Sequence, residues 1–452
     1  MKSLNKGVFF IVLLALLGGI LVAKSNFFSF NKHPKLIDRV PVSDYLIRLK
    51  SLQFSKEINP ILFKYKLPIR EFAAPDFLLG QAKHHGINLQ TEVYLFFNEP
   101  RDEWGALMQV NDSSKLISGI DRFRKNTEVS DSTRDDIRIF YFNELNIYVA
   151  YERNYLFFYS GINFSGRLSE VSQSKTGGIR PEWKRFLSKK SFRKENLVIY
   201  TEGKGIQSWG FDFGIFAHDN DSMGLHLKCY LHSFAPHGIY RKSNSVGLPQ
   251  SSKDVKAIEM HLSPHFNTTK TGKLLIGKMH QMGKKISFPT REFFSTWAGD
   301  LSFREGGAVN ATQRIITSEF DEDFNVREVI KFEPIKVPGY TVVYNTTDDG
   351  KRFINQLFGK GLLRSESQRL RFLFSPLLSM KYSNPYYFFT SASAFPIQIS
   401  DPGNYVLWNY DGTPIRLSLG MVKKHSIELD VDLAVKPVLK YIQRTKKTNS
   451  KK

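Results

Sequence analysis

Cysteine is nearly missing from this 452-residue chain, in which Cys229 is the only thiol. Intramolecular disulfides, zinc ribbons and thiolate-bound clusters all need more than one, so all three are excluded. No cysteine follows the apolar stretch near the N-terminus, which removes lipid attachment there. A second apolar run approaching 18 residues is absent, so a multi-span membrane protein is excluded. Acidic residues are the minority, 43 against 64 Lys plus Arg, leaving a net charge of +21. The balance of 41% hydrophobic and 24% charged residues is ordinary for a globular chain and argues against wholesale disorder.

Motifs that carry chemistry are missing too. There is no H-E-x-x-H, no G-x-S-x-G and no G-x-x-x-x-G-K-[ST]; Gly203-Lys204-Gly205 and Gly359-Lys360-Gly361 lack the phosphate-cradling spacing. Of the 11 histidines, His84, His85, His218, His226, His232, His237, His265 and His280 are the candidate ligands, and they do not pair at ligand spacing. Even His226 and His232, on one face of a strand, stand about 20 Å apart. Asp321–Asn325 begins like a calcium loop, but Val326 replaces the required Gly and Phe332 the bidentate Glu. Asp219–Gly224 fails similarly, and both are expected to be solvated turns. No catalytic residue, metal or cofactor is assigned. Paired carboxylates need no local spacing, so an enzyme stays open as an alternative.

Aromatic residues are plentiful instead, 14% of the chain with 38 Phe, as sheet-rich, well-filled cores require. Lys2 and Lys6 precede an apolar run over residues 7–23, closed by Lys24. Its length suits a signal anchor that stays in the membrane, with a cleaved signal ending at Val22-Ala23 as the alternative. The positive-inside bias exports the body under either reading. The expected organisation is a signal anchor (1–24), a tether (25–40), a first α+β module (41–179), a basic helix and strand-rich middle segment (180–285), a second α+β module (286–435) and a basic tail (436–452).

Within the first module, strands are expected at Val93–Phe97 and Ala106–Val110, then a helix capped by Asp112 that carries Leu116, Ile117, Ile120 and Phe123 on one face. Strands at Ile137–Phe142, Leu145–Tyr151 and Leu156–Tyr159 follow. A comparable pattern recurs later. A strand at Tyr340–Tyr344, a cap at Asp348-Asp349 and a helix with Phe353, Ile354 and Leu357 lie 237 residues on. Tyr155, Phe157, Phe158 and Ser160 match Tyr386, Phe388, Phe389 and Ser391 at an offset of 231. Either an old duplication or a common order of elements accounts for this. In Leu225–His232, alternation puts Cys229 beside Leu227 and Leu231 as a core filler and sets His226, Lys228, Tyr230 and His232 on the other face. Tyr405–Tyr410 and Ile415–Leu419 form a hairpin about Asp411-Gly412, and Ile427–Leu433 reads as a half-exposed strand.

Arg180–Lys194 is the most distinctive local feature, with seven basic residues and one acidic. As a helix started by Pro181 it would gather Trp183, Phe186, Leu187 and Lys190 on one side, leaving Lys184, Arg185, Lys189 and Arg193 more exposed. Arg180, Lys184, Arg185, Lys189, Lys190, Arg193 and Lys194 form a candidate surface for an anionic lipid or acidic envelope protein; a connecting helix with a solvated basic face is the plainer account. This stretch (+6), residues 1–39 (+5) and residues 436–452 (+7) hold 18 of the 21 net charges, and the nearly neutral remainder does not resemble a nucleic-acid binder.

The N-terminal anchor followed by VPVSDYLIRLKSL, GINLQTEVYLFF, WGALMQVNDSSKLISGI and YTVVYNTTDDGKRFINQLF resembles uncharacterised exported proteins of bacterial envelopes that repeat an α+β module behind a membrane or lipid anchor. The resemblance implies an envelope location and carries over no catalytic residue. It makes the expected fold α+β, two sheet-rich, aromatic-rich modules behind a transmembrane helix. The expected role is a non-catalytic binding or scaffolding module facing the periplasm. An envelope hydrolase acting on glycan or lipid, and an acyl-chain carrier, are the alternatives.

Overall fold

Alternating and fully apolar runs of β-branched and aromatic residues dominate the chain, and they fold as antiparallel sheet. A computed structural model describes residues 36–64, 74–124, 127–152, 154–173, 192, 194–219, 225–241, 258–266, 269–347, 350–366, 368–372, 377–391, 403–410 and 413–433. It is an α+β protein. Its contacts divide it into two units, Ser233–Leu433 and the remainder. Strands at residues 197–232 thus belong to the first unit and those at 239–266 to the second, so the middle segment is shared between them. Among the described residues no helix is long and apolar enough to cross a membrane; the run over residues 7–23 lies outside them.

The strands of the first unit are β1 (Tyr45–Leu49), β2 (Ile87–Asn88), β3 (Val93–Asn98), β4 (Glu103–Val110), β5 (Val129–Arg134), β6 (Ile137–Phe142), β7 (Ile147–Glu152), β8 (Tyr155–Ser160), β9 (Leu197–Thr201), β10 (Phe213–Asp219) and β11 (Leu225–His232). Its helices are α1 (Ser51–Lys64), α2 (Pro75–His85), α3 (Ser113–Arg124), α4 (Phe164–Gln173) and the short α5 (Lys204–Gln207). The sheet runs β5-β6-β7-β8-β4-β3-β1-β9-β10-β11, antiparallel throughout, with β2 on the end of β4.

Both faces of this sheet are covered. One packs Val93, Met108, Phe140 and Val149 under Leu78 of α2 and Leu116 and Ile120 of α3. The other is the aromatic core, where Tyr94, Phe96, Phe157, Tyr159, Tyr200 and Phe213 meet beside α4. Asp112 caps α3 as expected, its Oδ1 accepting the Lys115 amide at 3.1 Å. The preceding helix ends on Gly86 at φ 69°, where a β-carbon would lie 2.0 Å from the Asp112 carbonyl oxygen, so only glycine fits. The strand expected from Leu145 starts at Ile147, because Asn143–Leu145 form a 3-10 turn. In β11 Cys229 is buried as expected, but Tyr230 is buried too. Its ring joins the aromatic core, and His232 stacks on Phe213 at 4.7 Å. Two-sided coverage defeats a reading in which alternation marks one solvated face.

The second unit contains β12 (Ile239–Arg241), β13 (Ile258–Leu262), β14 (Pro264–Phe266), β15 (Trp297–Phe320), β16 (Val326–Thr346), β17 (Leu363–Glu366), β18 (Arg369–Phe372), β19 (Ser379–Ser383), β20 (Tyr386–Thr390), β21 (Asn404–Tyr410), β22 (Thr413–Lys423) and β23 (Ser426–Leu433). Its helices are α6 (Lys270–Lys284), α7 (Thr290–Thr296) and α8 (Gly350–Gly359). The main sheet runs β19-β20-β16-β15-β13-β21-β22-β23. That order is the order β7-β8-β4-β3-β1-β9-β10-β11 of the first unit. Helices α3 and α8 follow equivalent strands, and the expected core residues Phe353, Ile354 and Leu357 of α8 are buried against Tyr344, Tyr387 and Phe389. The cap expected at Asp348-Asp349 lies outside the described residues.

One hairpin breaks the correspondence. In the first unit β3 turns into β4 through Glu99–Arg101. In the second, β15 and β16 stay paired far beyond their neighbours: β13 leaves β15 after Arg304, and β20 pairs with β16 only over Thr341–Asn345. The expected Tyr340–Tyr344 is just the inner end of this 21-residue strand. Register shifts between Glu305 and Ala308, where Gly306-Gly307 stand opposite Gly339, and there the sheet ends and a two-stranded arm begins.

Candidate interaction arm and buried polar row

From Ala308 paired with Pro338 to Phe320 paired with Val326, the arm has 13 residues per strand, about 40 Å at ~3.4 Å each. A unit of about 200 residues has a radius of gyration near 16 Å, so the tip stands well clear of its root. The turn expected at Asp321–Asn325 is the tip: Asp321 Oδ1 accepts the amides of Asp323 (3.0 Å) and Asn325 (2.8 Å), closing the loop from within. Phe324 sits there at φ 63° and is 84% exposed. Period-two geometry places Phe320, Val326, Ile316, Ile330 and Phe332 on one face, interspersed with Arg314, Ser318 and Glu328, and all five apolar side chains are exposed. Prolines 334 and 338 carry no N–H, which places their nitrogens on the outer edge of β16 and denies that edge two donors for strand addition.

Around this apolar face the arm is acidic. Residues 308–338 hold six acidic and four basic side chains, net −2 in a chain of +21. Lys331 is held by Glu319 at 2.5 Å, and Arg327 lies across from Glu319, so two of the four cations are already matched. Glu322 and Asp323 remain at the exposed tip.

The second unit also buries a row of polar side chains on the sheet face opposite α7 and α8. His261 Nδ1 lies 2.7 Å from Ser302 Oγ. Glu259 accepts from Tyr405 at 2.5 Å and from Arg304 Nε and Nη2 at 3.3 Å. Asp300 Oδ2 accepts from Asn345 Nδ2 at 2.9 Å. Burial, with the Asp300 charge behind it, pushes the Tyr386 phenol up to about 12; burial and Glu259 push Tyr405 up as well. A Ser–His pair and two carboxylates are the raw material of acyl transfer. Here, however, Ser302 is mid-strand, paired on both sides to His261 and Val343, and it and His261 are at most 1% exposed. Each acid is committed to its own donors. The row is a ladder of hydrogen bonds across a buried sheet face, with its serine held in mid-strand rather than presented to a substrate.

A comparable network closes the first unit. Fully buried Glu103 accepts from Asn98 Nδ2 (2.6 Å), Tyr159 Oη (2.7 Å) and both Nε (3.0 Å) and Nη2 of Arg167. Arg167 Nη1 continues to the Val42 carbonyl (3.2 Å) and to Glu170. Burial alone would raise the Glu103 pKa, but these donors outweigh it and hold the carboxyl below its usual range. An apolar cleft beside β3 and β4, lined by Tyr45, Ile47, Leu95, Phe97 and Trp104, holds only about 20 Å³, room for one water and not for an acyl chain.

Of the seven candidate basic residues, Arg180, Lys184, Arg185, Lys189, Lys190 and Arg193 lie outside the described residues. Lys194 is described, and the chain there is tied to β1. Arg48 Nη2 donates to the Phe192 carbonyl (2.5 Å) and Lys50 Nζ to that of Lys194 (3.1 Å), while the Phe192 ring packs on Tyr230. The basic segment therefore ends in a fixed attachment to the first unit. Among the described residues no group of three or more His, Cys, Asp or Glu could hold a metal.

His237 is fully buried, and its Nδ1 accepts the Ile239 amide at 3.0 Å. Burial lowers its pKa, partly offset by backbone hydrogen bonds to Lys423 and Ser426 and reinforced by His425. Because the folded pKa lies below the unfolded value of about 6.5, this contribution to stability is complete above pH 6.5 and declines as acid protonates the unfolded chain first. Urea midpoints of the full chain should therefore fall from pH 7.5 to 5.5, and His237→Gln should flatten that fall.

No family model matches the chain, and neither does any curated protein. Among solved structures it is similar to crystal forms I, III and IV of TP0453, at TM-scores of 0.31, 0.32 and 0.31 and identities of 9%, 11% and 10%. The matches cover 45%, 45% and 44% of this chain and 80%, 82% and 80% of those chains, a likeness too slight to bear on fold or function.

Proposed function

We propose that this is an exported, membrane-anchored protein of a bacterial envelope that acts as a non-catalytic binding or scaffolding module. Residues 7–23 serve as its transmembrane anchor and its two units face the periplasm. It belongs with the uncharacterised envelope proteins whose sequence patterns it resembles. The two units arise from duplication of one α+β module; their shared strand order and equivalent helices α3 and α8 support that descent.

One observation carries the binding role: the arm. The first unit makes the equivalent hairpin with a four-residue connection, residues 99–102, so the sheet does not need the extension. An element that presents five apolar side chains along one face and a sixth at its tip is built for contact. The test is the size of the full chain solubilised in mild detergent. The account expects a particle containing more protein than the 52.0 kDa monomer. A monomer at every concentration, with no companion protein, would contradict it.

A further inference from the structure

We infer that the occupant of the arm's apolar face is the Arg180–Lys194 segment of a second copy of this chain. The inference rests on the binding role proposed above and names its partner.

Three observations point to this pairing. First, the arm is an acidic island in a basic protein: Glu322 and Asp323 cap a patch of Phe320, Phe324 and Val326. An anionic membrane surface would repel that tip, whereas a cationic surface with apolar residues would complement it. Second, RPEWKRFLSKKSFRK has that composition, net +6 with Trp183, Phe186 and Leu187 among its basic residues. Its C-terminal end is fixed to β1 through Phe192 and Lys194, so a contact there would be transmitted to a folded unit. Third, the arm's length of about 40 Å suits reach to another molecule more than packing at its own root.

The donors and acceptors agree with side-chain docking rather than strand exchange. Pro334 and Pro338 remove two amides from the edge of β16, so affinity comes from the apolar face and from carboxylate–guanidinium or carboxylate–ammonium pairs around it. Such a contact weakens as salt rises.

The experiment places the photoreactive residue benzoylphenylalanine at Phe324 in the full-length, membrane-anchored chain, co-expressed as isotopically light and heavy copies. Cross-linked peptides should join position 324 of one label to residues 180–194 of the other. E322K/D323K should cut that yield roughly tenfold, and K189E/K190E in the second copy should restore part of it. Cross-links to lipid, or only within one copy, would overturn the inference. Cross-links to a different envelope protein would overturn it while leaving the binding role intact, and a tip that captures no protein would remove both.

Discussion

Arg167→Met is expected to destabilise the protein by about 3–5 kcal/mol, because it strips a buried carboxylate of its guanidinium partner. Glu103 is fully buried on β4, and its remaining donors, Asn98 and Tyr159, are neutral. The cost is that of a buried carboxylate left with only the solvent-exposed Arg101 guanidinium, 3.9 Å away, as counter-charge, rather than the net worth of the Arg167 pair. Replacing both partners, Glu103→Leu with Arg167→Met, should therefore recover much of the loss. The pH dependence separates the causes. Glu103 has a folded pKa below its unfolded value, so in the native chain its contribution is present above about pH 4.5 and is lost as pH falls through the folded pKa. In Arg167→Met burial is opposed chiefly by the Tyr159 and Asn98 hydrogen bonds, so the Glu103 pKa rises relative to the native chain and the variant's deficit should shrink at low pH. Guanidinium midpoints measured from pH 4 to 8 test both. An equal deficit at all pH values would mean that lost packing, not charge, is responsible.

The second large effect concerns the arm. Its six apolar side chains would each gain roughly 1.5–3 kcal/mol on full burial. Against an association cost of about 4–15 kcal/mol, that supports a contact of moderate affinity carried mostly by these side chains. Replacing residues 308–338 with a two-residue turn should abolish self-association while sparing the fold. The sheet closes inside the arm's root, where β13 pairs over Leu301–Arg304 of β15 and β20 over Thr341–Asn345 of β16. The core under α8 lies inside that root as well.

How much of this was readable in the sequence depends on what each residue borders. Asp112 with Leu116 and Ile120, and Phe353 with Ile354 and Leu357, announced helices α3 and α8, since a cap and a 3.6-residue period are local signals. The hairpin of β21 and β22 was equally plain. Tyr230 misled because β11 is covered on both faces. The arm escaped because Arg314, Glu319, Glu328 and Lys331 interrupt its alternation: a solvated ribbon has no buried face to keep one side apolar. Gly306-Gly307 and Pro338-Gly339 at its root, with two phenylalanines flanking the acidic turn, were the available clues. The buried row of Glu259, His261, Ser302 and Tyr405 comes from three strands brought together over more than a hundred residues, and Glu-Met-His-Leu alone reads as an ordinary half-exposed strand.

The most direct test of the central claim is sedimentation of the full chain and of the arm-shortened chain in the same detergent. The account predicts that the native protein sediments above monomer mass and the shortened one as a monomer, with unchanged unfolding midpoints. Self-association that survives removal of residues 308–338, in a chain that still folds, would contradict it.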